Sequence, residues 1–113
     1  MTTALILFAL AAVGGIVLAA QRFSGKPHPS LALALIHGTA AACGLVALIA
    51  FIAKGGVADA TKVGLGLILL AALGGFFLFS MHLRNKALPI PVMLGHALVA
   101  VAGFLTLLIS ALH

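Results

Sequence analysis

Charge is scarce in this sequence. Only 6% of the 113 residues are charged, against roughly 25% in an ordinary soluble domain. Apolar residues make up 65% of the chain. A soluble domain of this length has too much surface for its volume to bury so large an apolar fraction. The composition therefore excludes a soluble globular enzyme and a disordered chain, and it indicates an integral membrane protein.

Acidic residues and cysteines are scarcer still. Asp59 is the one acidic residue, and we expect it to lie at a membrane edge. No predicted helix therefore carries a carboxylate inside the membrane, on which proton-coupled transport usually relies. Cys43 is the one cysteine, so an intrachain disulfide scaffold is excluded. We expect Cys43 to pack as a small residue that faces another helix. The sequence has no CxxCH, so a covalently attached haem is excluded as well.

The seven charged residues divide the chain into four uncharged stretches, 1–21, 27–53, 63–83 and 87–113. Each stretch is long enough for one helix to cross the membrane, which takes about 20 apolar residues. The stretches are continuously apolar, whereas barrel strands alternate. We therefore predict an all-α bundle of four transmembrane helices, at about 3–21, 30–53, 60–81 and 88–112. Ser30 and Asp59 lie where caps are expected, and Pro89 suits a first helical turn.

The uncharged stretches alternate in length, at 21, 27, 21 and 27 residues, which indicates a duplicated helical hairpin. Ala11–Gly15 aligns with Ala71–Gly75 sixty residues later, and after a one-residue deletion His37 aligns with His96. The two repeats, about 1–54 and 60–113, form a single membrane domain. Because each repeat crosses twice, both enter with the same orientation, and a pseudo-twofold axis along the membrane normal is predicted.

Positive charge is divided unevenly between the two sides of the membrane. Four Lys or Arg residues lie in the connections after the first and third helices, and two lie in the central connection. The excess of positive charge predicts that the first side is cytoplasmic and that both termini are outside. The expected location is a bacterial inner membrane. The net charge of +5 is explained by topology and lipid headgroups, and no nucleic-acid partner is expected.

His37 and His96 are the residues most able to carry chemistry. Each lies seven or eight residues into a predicted helix, about 10 Å below the same membrane face. Ionisable groups at such depth are rare and usually functional. Small residues are expected at or near this level on all four helices. They are Gly14, Gly15, Ala41, Gly44, Gly74, Gly75, Ala100 and Gly103.

A haem b fits this combination, with His37 and His96 as its two axial ligands and the small residues leaving room for a flat group. Arg22 and Arg84 lie at the nearer face, where the propionates would lie. Zinc fits less well because it usually takes three or four protein ligands. Copper could recruit Met93 or Cys43, but the repeat counterpart of Met93 is Ala34.

The four apolar helices, the paired histidines and the glycines at their depth resemble the b-type cytochrome membrane subunits that exchange electrons with quinones. The haem-carrying anchors of succinate dehydrogenase and fumarate reductase are examples. The resemblance implies non-covalent haem b and transmembrane or lateral electron transfer, with His37 and His96 as the axial ligands. A redox protein or quinone is the expected partner, and a homo-oligomer and a larger complex are both open. His28 and His82 would then be candidates for a quinone site, while headgroup contact is their simpler interpretation.

Two alternatives remain open from the sequence. A small four-helix transporter is one, although it lacks the membrane-embedded glutamate in the first helix on which the small multidrug exporters depend. A histidine would have to carry the proton instead. A structural subunit without a cofactor is the other, with glycines and histidines used for helix packing.

Overall fold

The computed structural model describes residues 1–26 and 29–113, and these residues form four α-helices and no strand. The helices are α1 (Thr2–Phe23), α2 (Leu31–Ala53), α3 (Asp59–Leu83) and α4 (Ile90–Leu112). Each is long and apolar enough to cross a membrane. The all-α, four-helix prediction is therefore confirmed, and the helix ends differ from the predicted ones by no more than two residues.

The helix starts follow local sequence signals. Ser30 is the N-cap of α2, and its hydroxyl accepts a hydrogen bond from the backbone N–H of Leu33 at 3.3 Å. Asp59 is not a cap but the first residue of α3, where its carboxylate still lies near the positive end of the helix dipole. Pro89 is the N-cap of α4, and Pro91 lies in the first turn, where its missing N–H leaves no helical hydrogen bond unmade.

The helices pair as two hairpins. α1 packs along α2 and α3 along α4, and the hairpins meet where α2 contacts α3 and α1 contacts α4. α2 and α4 are therefore diagonal neighbours across the bundle. One end of the bundle, called here the termini end, carries Met1, His113 and residues 54–58. The opposite end, called here the loop end, carries residues 24–26, 29–30 and 84–89.

The two hairpins end their first helices in the same way. Gly25 and Asn85, sixty residues apart, both have positive φ, at 106° and 52°. The next residue in each case, Lys26 or Lys86, donates its N–H back to a carbonyl of the last helical turn. This is the Schellman pattern, and it requires the left-handed backbone that glycine and asparagine tolerate best.

Apolar packing occupies the bundle on both sides of the histidine level. Toward the termini end, a cluster of buried residues joins all four helices, and its members are Ala4, Phe8, Leu48, Ile68 and Leu107. Toward the loop end, Leu78, Leu88 and Met93 form a second cluster within the described residues. The outer surface also exposes many large apolar side chains, as contact with lipid requires. The histidines therefore lie in a layer between apolar clusters.

Candidate functional site

His37 and His96 lie at the same depth and meet inside the bundle. Each is the seventh residue of its helix, about 9 Å along the axis from the helix start. Their ring centroids are 6.3 Å apart, and the ring planes are nearly perpendicular at 86°. The internal repeat thus brings together two residues that are 59 positions apart in the chain.

Each histidine is held by a backbone carbonyl of the other helix in its hairpin. His37 Nδ1–H donates to the Ala11 carbonyl at 2.6 Å, and His96 Nδ1–H donates to the Ala71 carbonyl at 2.7 Å. A carbonyl can only accept, so the proton lies on Nδ1 and the lone pair of a neutral ring lies on Nε2. This second hydrogen bond, which fixes tautomer and ring orientation, is typical of metal-ligating histidines.

The Nε2 atoms differ from the Nδ1 atoms in having no hydrogen-bond partner within residues 1–26 and 29–113. Two half-buried rings therefore keep an available lone pair each, in a layer with apolar packing on either side. In the membrane interior, where no water can supply a hydrogen bond, a polar nitrogen without a partner is costly. A ligand that accepts electron density from both rings would remove this cost.

The glycine pairs of α1 and α3 lie against the histidine rings. A Cβ built on Gly15 would come within 3.1 Å of His37 Cε1, and one on Gly75 within 3.2 Å of His96 Cε1. Gly14 and Gly74 approach the Cβ atoms of the same histidines, each at 3.4 Å. The space expected for a flat group beside these four glycines is thus occupied by the imidazoles of their own hairpins.

The remaining small residues lie between the histidines and the cluster near the termini end. Gly44 and Gly103 are buried, and a Cβ on either would overlap Phe8 or Ile68, at 2.9 and 3.0 Å. These two glycines therefore set the spacing of the helices within each hairpin. Ala41 and Ala100 lie one turn nearer the histidines and are half-buried.

The two arginines at the loop end have different surroundings. Arg22 is half-buried and donates from Nε to the Leu88 carbonyl of the other hairpin at 3.0 Å. Arg84 is exposed and bonds within its own helix, to Ser80 and Met81. Of the two, Arg22 is the better placed to compensate an anionic group inside the bundle, because its charge is less screened by water.

Two of the other histidines lie at opposite ends of the bundle, His82 near the loop end and His113 at the termini end. His82 Nε2–H donates to the Pro29 carbonyl of the other hairpin at 3.1 Å. His28, its predicted companion at a quinone site, lies outside the described residues. His113 is exposed and donates to the carbonyl of Ile109 in its own helix. Sequence reasoning missed the link from His82 to Pro29, although the 60-residue offset places His82 at the position of Arg22.

The described side chains do not form a complete ligand set for a bare metal ion. Cys43 is exposed and Met93 is buried in the apolar cluster near the loop end. Within the described residues no three His, Cys, Asp or Glu side chains gather at a metal site. Two imidazoles are the complete axial set of a bis-histidine haem.

Room for a wider group exists beside His96. A groove between α3 and α4 opens to the outer surface there, and Ala71, Gly74 and Gly95 lie along it. Where α2 meets α3 and α1 meets α4, the hairpins touch. A macrocycle between the two rings therefore requires the hairpins to separate further than they do here.

No known protein family matches this chain, and no curated protein or solved structure is significantly similar to it. The function is therefore inferred from the side chains of the site and their geometry.

Proposed function

We propose that this protein is a membrane b-type cytochrome that transfers electrons through one non-covalent haem b, with His37 and His96 as the axial ligands. One observation carries the proposal. Two histidines from diagonal helices meet in the bundle, each with Nδ1 held by a carbonyl and Nε2 left available. Both rings are thereby prepared to donate electron density from Nε2.

The bound haem would supply one-electron oxidation and reduction at iron. The protein residues hold and tune it. The carbonyls of Ala11 and Ala71 orient the imidazoles and make them more basic. The apolar clusters on either side keep water away, and burial is one of the factors that set the potential of a haem. Arg22 is the half-buried positive charge nearest the loop end to which the propionates would turn.

The partner is a redox protein or a membrane quinone, and the chain would act alone, as a homo-oligomer or as a subunit of a larger complex. The helices leave little of this sequence outside the membrane. A bacterial inner membrane with both termini outside is the location that the charge distribution favours.

Helix packing alone accounts for only part of the site. It explains the glycines and the Nδ1 hydrogen bonds. It does not explain why two polar rings meet inside an apolar bundle with both Nε2 atoms unpaired among the described residues. Leucine or alanine would fill the same space without that cost.

A transporter that uses the histidine pair as its proton carrier is the second candidate. The two adjacent Nε2 lone pairs favour it, since either could accept a proton. Asp59, however, is exposed in the first turn of α3 and lies 3.9 Å from the Lys62 ammonium. It is therefore not at the depth of the histidines, and no other carboxylate exists in the sequence.

Titration of the purified protein with haemin distinguishes these functions. We expect the wild type to bind one haem per chain with a low-spin, six-coordinate spectrum that shifts on reduction. His37→Ala and His96→Ala should each lose an axial bond and become five-coordinate or empty. His113→Ala is the matched control, because it removes an exposed histidine that bonds only its own helix. A wild type that binds no haem would contradict the proposal and favour the transporter.

A further inference from the structure

The two hairpins are joined at the loop end by two hydrogen bonds of the same form. Arg22 Nε–H donates to the Leu88 carbonyl at 3.0 Å, and His82 Nε2–H donates to the Pro29 carbonyl at 3.1 Å. In each bond the donor is a side chain in the last turn of one hairpin's first helix. The acceptor is a backbone carbonyl just before the second helix of the other hairpin.

These two bonds are equivalent under the internal repeat. Arg22 and His82 are 60 residues apart, and Pro29 and Leu88 are 59 apart, the same offsets that relate the two halves of the chain. The bonds run in opposite directions between the hairpins. Reciprocal contacts of this kind are what a twofold axis between the hairpins produces.

The acceptor carbonyls have a local reason to need a donor. The N-cap carbonyls, of Ser30 and Pro89, accept the first helical bonds, from Ala34 N–H and Met93 N–H at 3.0 Å each. The carbonyls of Pro29 and Leu88, one residue earlier, accept no hydrogen bond from the helix that follows. Both Pro29 and Leu88 are buried, where an unpaired carbonyl is costly. The side chains of Arg22 and His82 supply the missing donors.

We propose that Arg22 and His82 are positioning residues that fix the separation of the two hairpins, and thereby the distance between His37 and His96. Each acceptor residue lies eight residues before His37 or His96, in the segment that leads directly into the helix of that histidine. A rigid helix transmits a shift of its start to a residue two turns further along. The link to ligand spacing rests on the proposed haem function, whereas the effect on hairpin separation does not.

The hairpin separation can be measured in the full-length protein without haem. Leu35 and Leu94 are exposed, repeat-equivalent residues on α2 and α4. In a Cys43→Ala background, Leu35→Cys and Leu94→Cys accept one spin label on each hairpin. The distance distribution between the labels, from double electron–electron resonance in lipid nanodiscs, then reports the separation near the histidines.

Four variants distinguish the effect of the hydrogen bond from the effect of side-chain volume. Arg22→Met and His82→Phe remove the donor and keep similar volume. Arg22→Gln and His82→Gln keep an N–H donor close to the position of the native one. Arg84→Met is the matched control, because it removes an arginine from the same end that bonds only within α3.

We expect a longer and broader distance distribution in Arg22→Met and in His82→Phe, and a larger change when they are combined. The two glutamine variants should restore the wild-type distribution, and Arg84→Met should leave it unchanged. An unchanged distribution in both donor-removing variants would overturn the proposal, as would equal broadening in the glutamine variants. If Arg22→Met does not fold, Arg22→Asn, with its amide one methylene shorter, replaces it in the comparison with Arg22→Gln.

The haem-loaded protein gives a second readout. The low-spin spectrum of His82→Phe should shift relative to the wild type, and His82→Gln should restore it. A wild type that takes up no haem would remove the proposed function, and the label distances would still decide the role of Arg22 and His82. If the donor-removing variants keep the wild-type label distances and the protein binds haem, the positioning role of Arg22 and His82 is refuted and the proposed function is not.

Discussion

The imidazole of His37 meets that of His96 inside the bundle with its plane turned by 86° and its centroid 6.3 Å away. Each ring is fixed on its own hairpin by a carbonyl and a pair of glycines. The relative orientation of the rings is therefore set by the packing of one hairpin on the other. Four predictions follow from this arrangement and from the topology of the bundle.

Gly15→Ala and Gly75→Ala should weaken haem binding while both ligands remain. The added methyl would crowd Cε1 of His37 or His96, at 3.1 and 3.2 Å, so the ring must shift. Overpacking of this kind costs about 1–3 kcal/mol, which corresponds to a loss of affinity of about fivefold to 150-fold. The leucine variants at these positions should lose more. Haemin titration of each variant measures the loss.

Gly38→Ala and Gly66→Ala are the matched controls for these variants. A Cβ on either glycine meets no atom within 4 Å. Alanine should therefore stabilise the helix by about 0.5–1 kcal/mol without changing haem affinity. Equal losses of affinity in the control and test variants would show that the glycines beside the histidines have no special role.

Leu48→Ala and Leu107→Ala should destabilise the bundle by similar amounts. The two leucines are repeat-equivalent, and both are fully buried in the cluster near the termini end. The cavity left by each truncation should cost about 2 kcal/mol or more. Val46→Ala, on the exposed surface of α2, should change little. Reversible unfolding in mixed micelles gives the free energies, and a large difference between the two leucine variants would argue against equivalent packing.

A reporter fused after His113 should be found outside the cytoplasm. The two termini lie at the same end of the bundle, and four of the six Lys and Arg residues lie toward the opposite end. Positively charged loops resist translocation. Alkaline phosphatase fused there should be active, whereas a fusion after Lys86 should be inactive. A cytoplasmic C-terminus would reverse the predicted orientation and leave the haem proposal unaffected.

The sequence predicted the helices and the histidine pair because both depend on strong, simple signals. Uninterrupted apolar stretches define the spans, and the repeat places His37 and His96 at equal depth. The position of Pro89 was wrong by one residue because proline is tolerated both at an N-cap and in the first turn, and Pro91 occupies the latter.

The contacts of the glycines and of Arg22 could not be predicted in the same way. A glycine at the right depth is compatible with a cofactor, a ring or a helix as its neighbour, and only the packing of α1 on α2 shows that Gly15 lies against His37. Arg22 and His82 share a structural role but not a side-chain type. Matching identical residues between the repeats therefore does not reveal it, although the offset of 60 does.

The electron paramagnetic resonance spectrum of the oxidised, haem-loaded wild type tests the central claim most directly. Perpendicular axial imidazoles give a highly anisotropic low-spin signal, whereas parallel ones give a rhombic signal. We expect each ring to keep its carbonyl hydrogen bond, and hence its orientation on its own hairpin, when the hairpins separate to admit the macrocycle. We therefore predict the highly anisotropic signal of rings at 86°, and its loss in both His37→Ala and His96→Ala. A protein that takes up no haem, or a low-spin signal that persists in both variants, would contradict the assignment of His37 and His96 as the ligands.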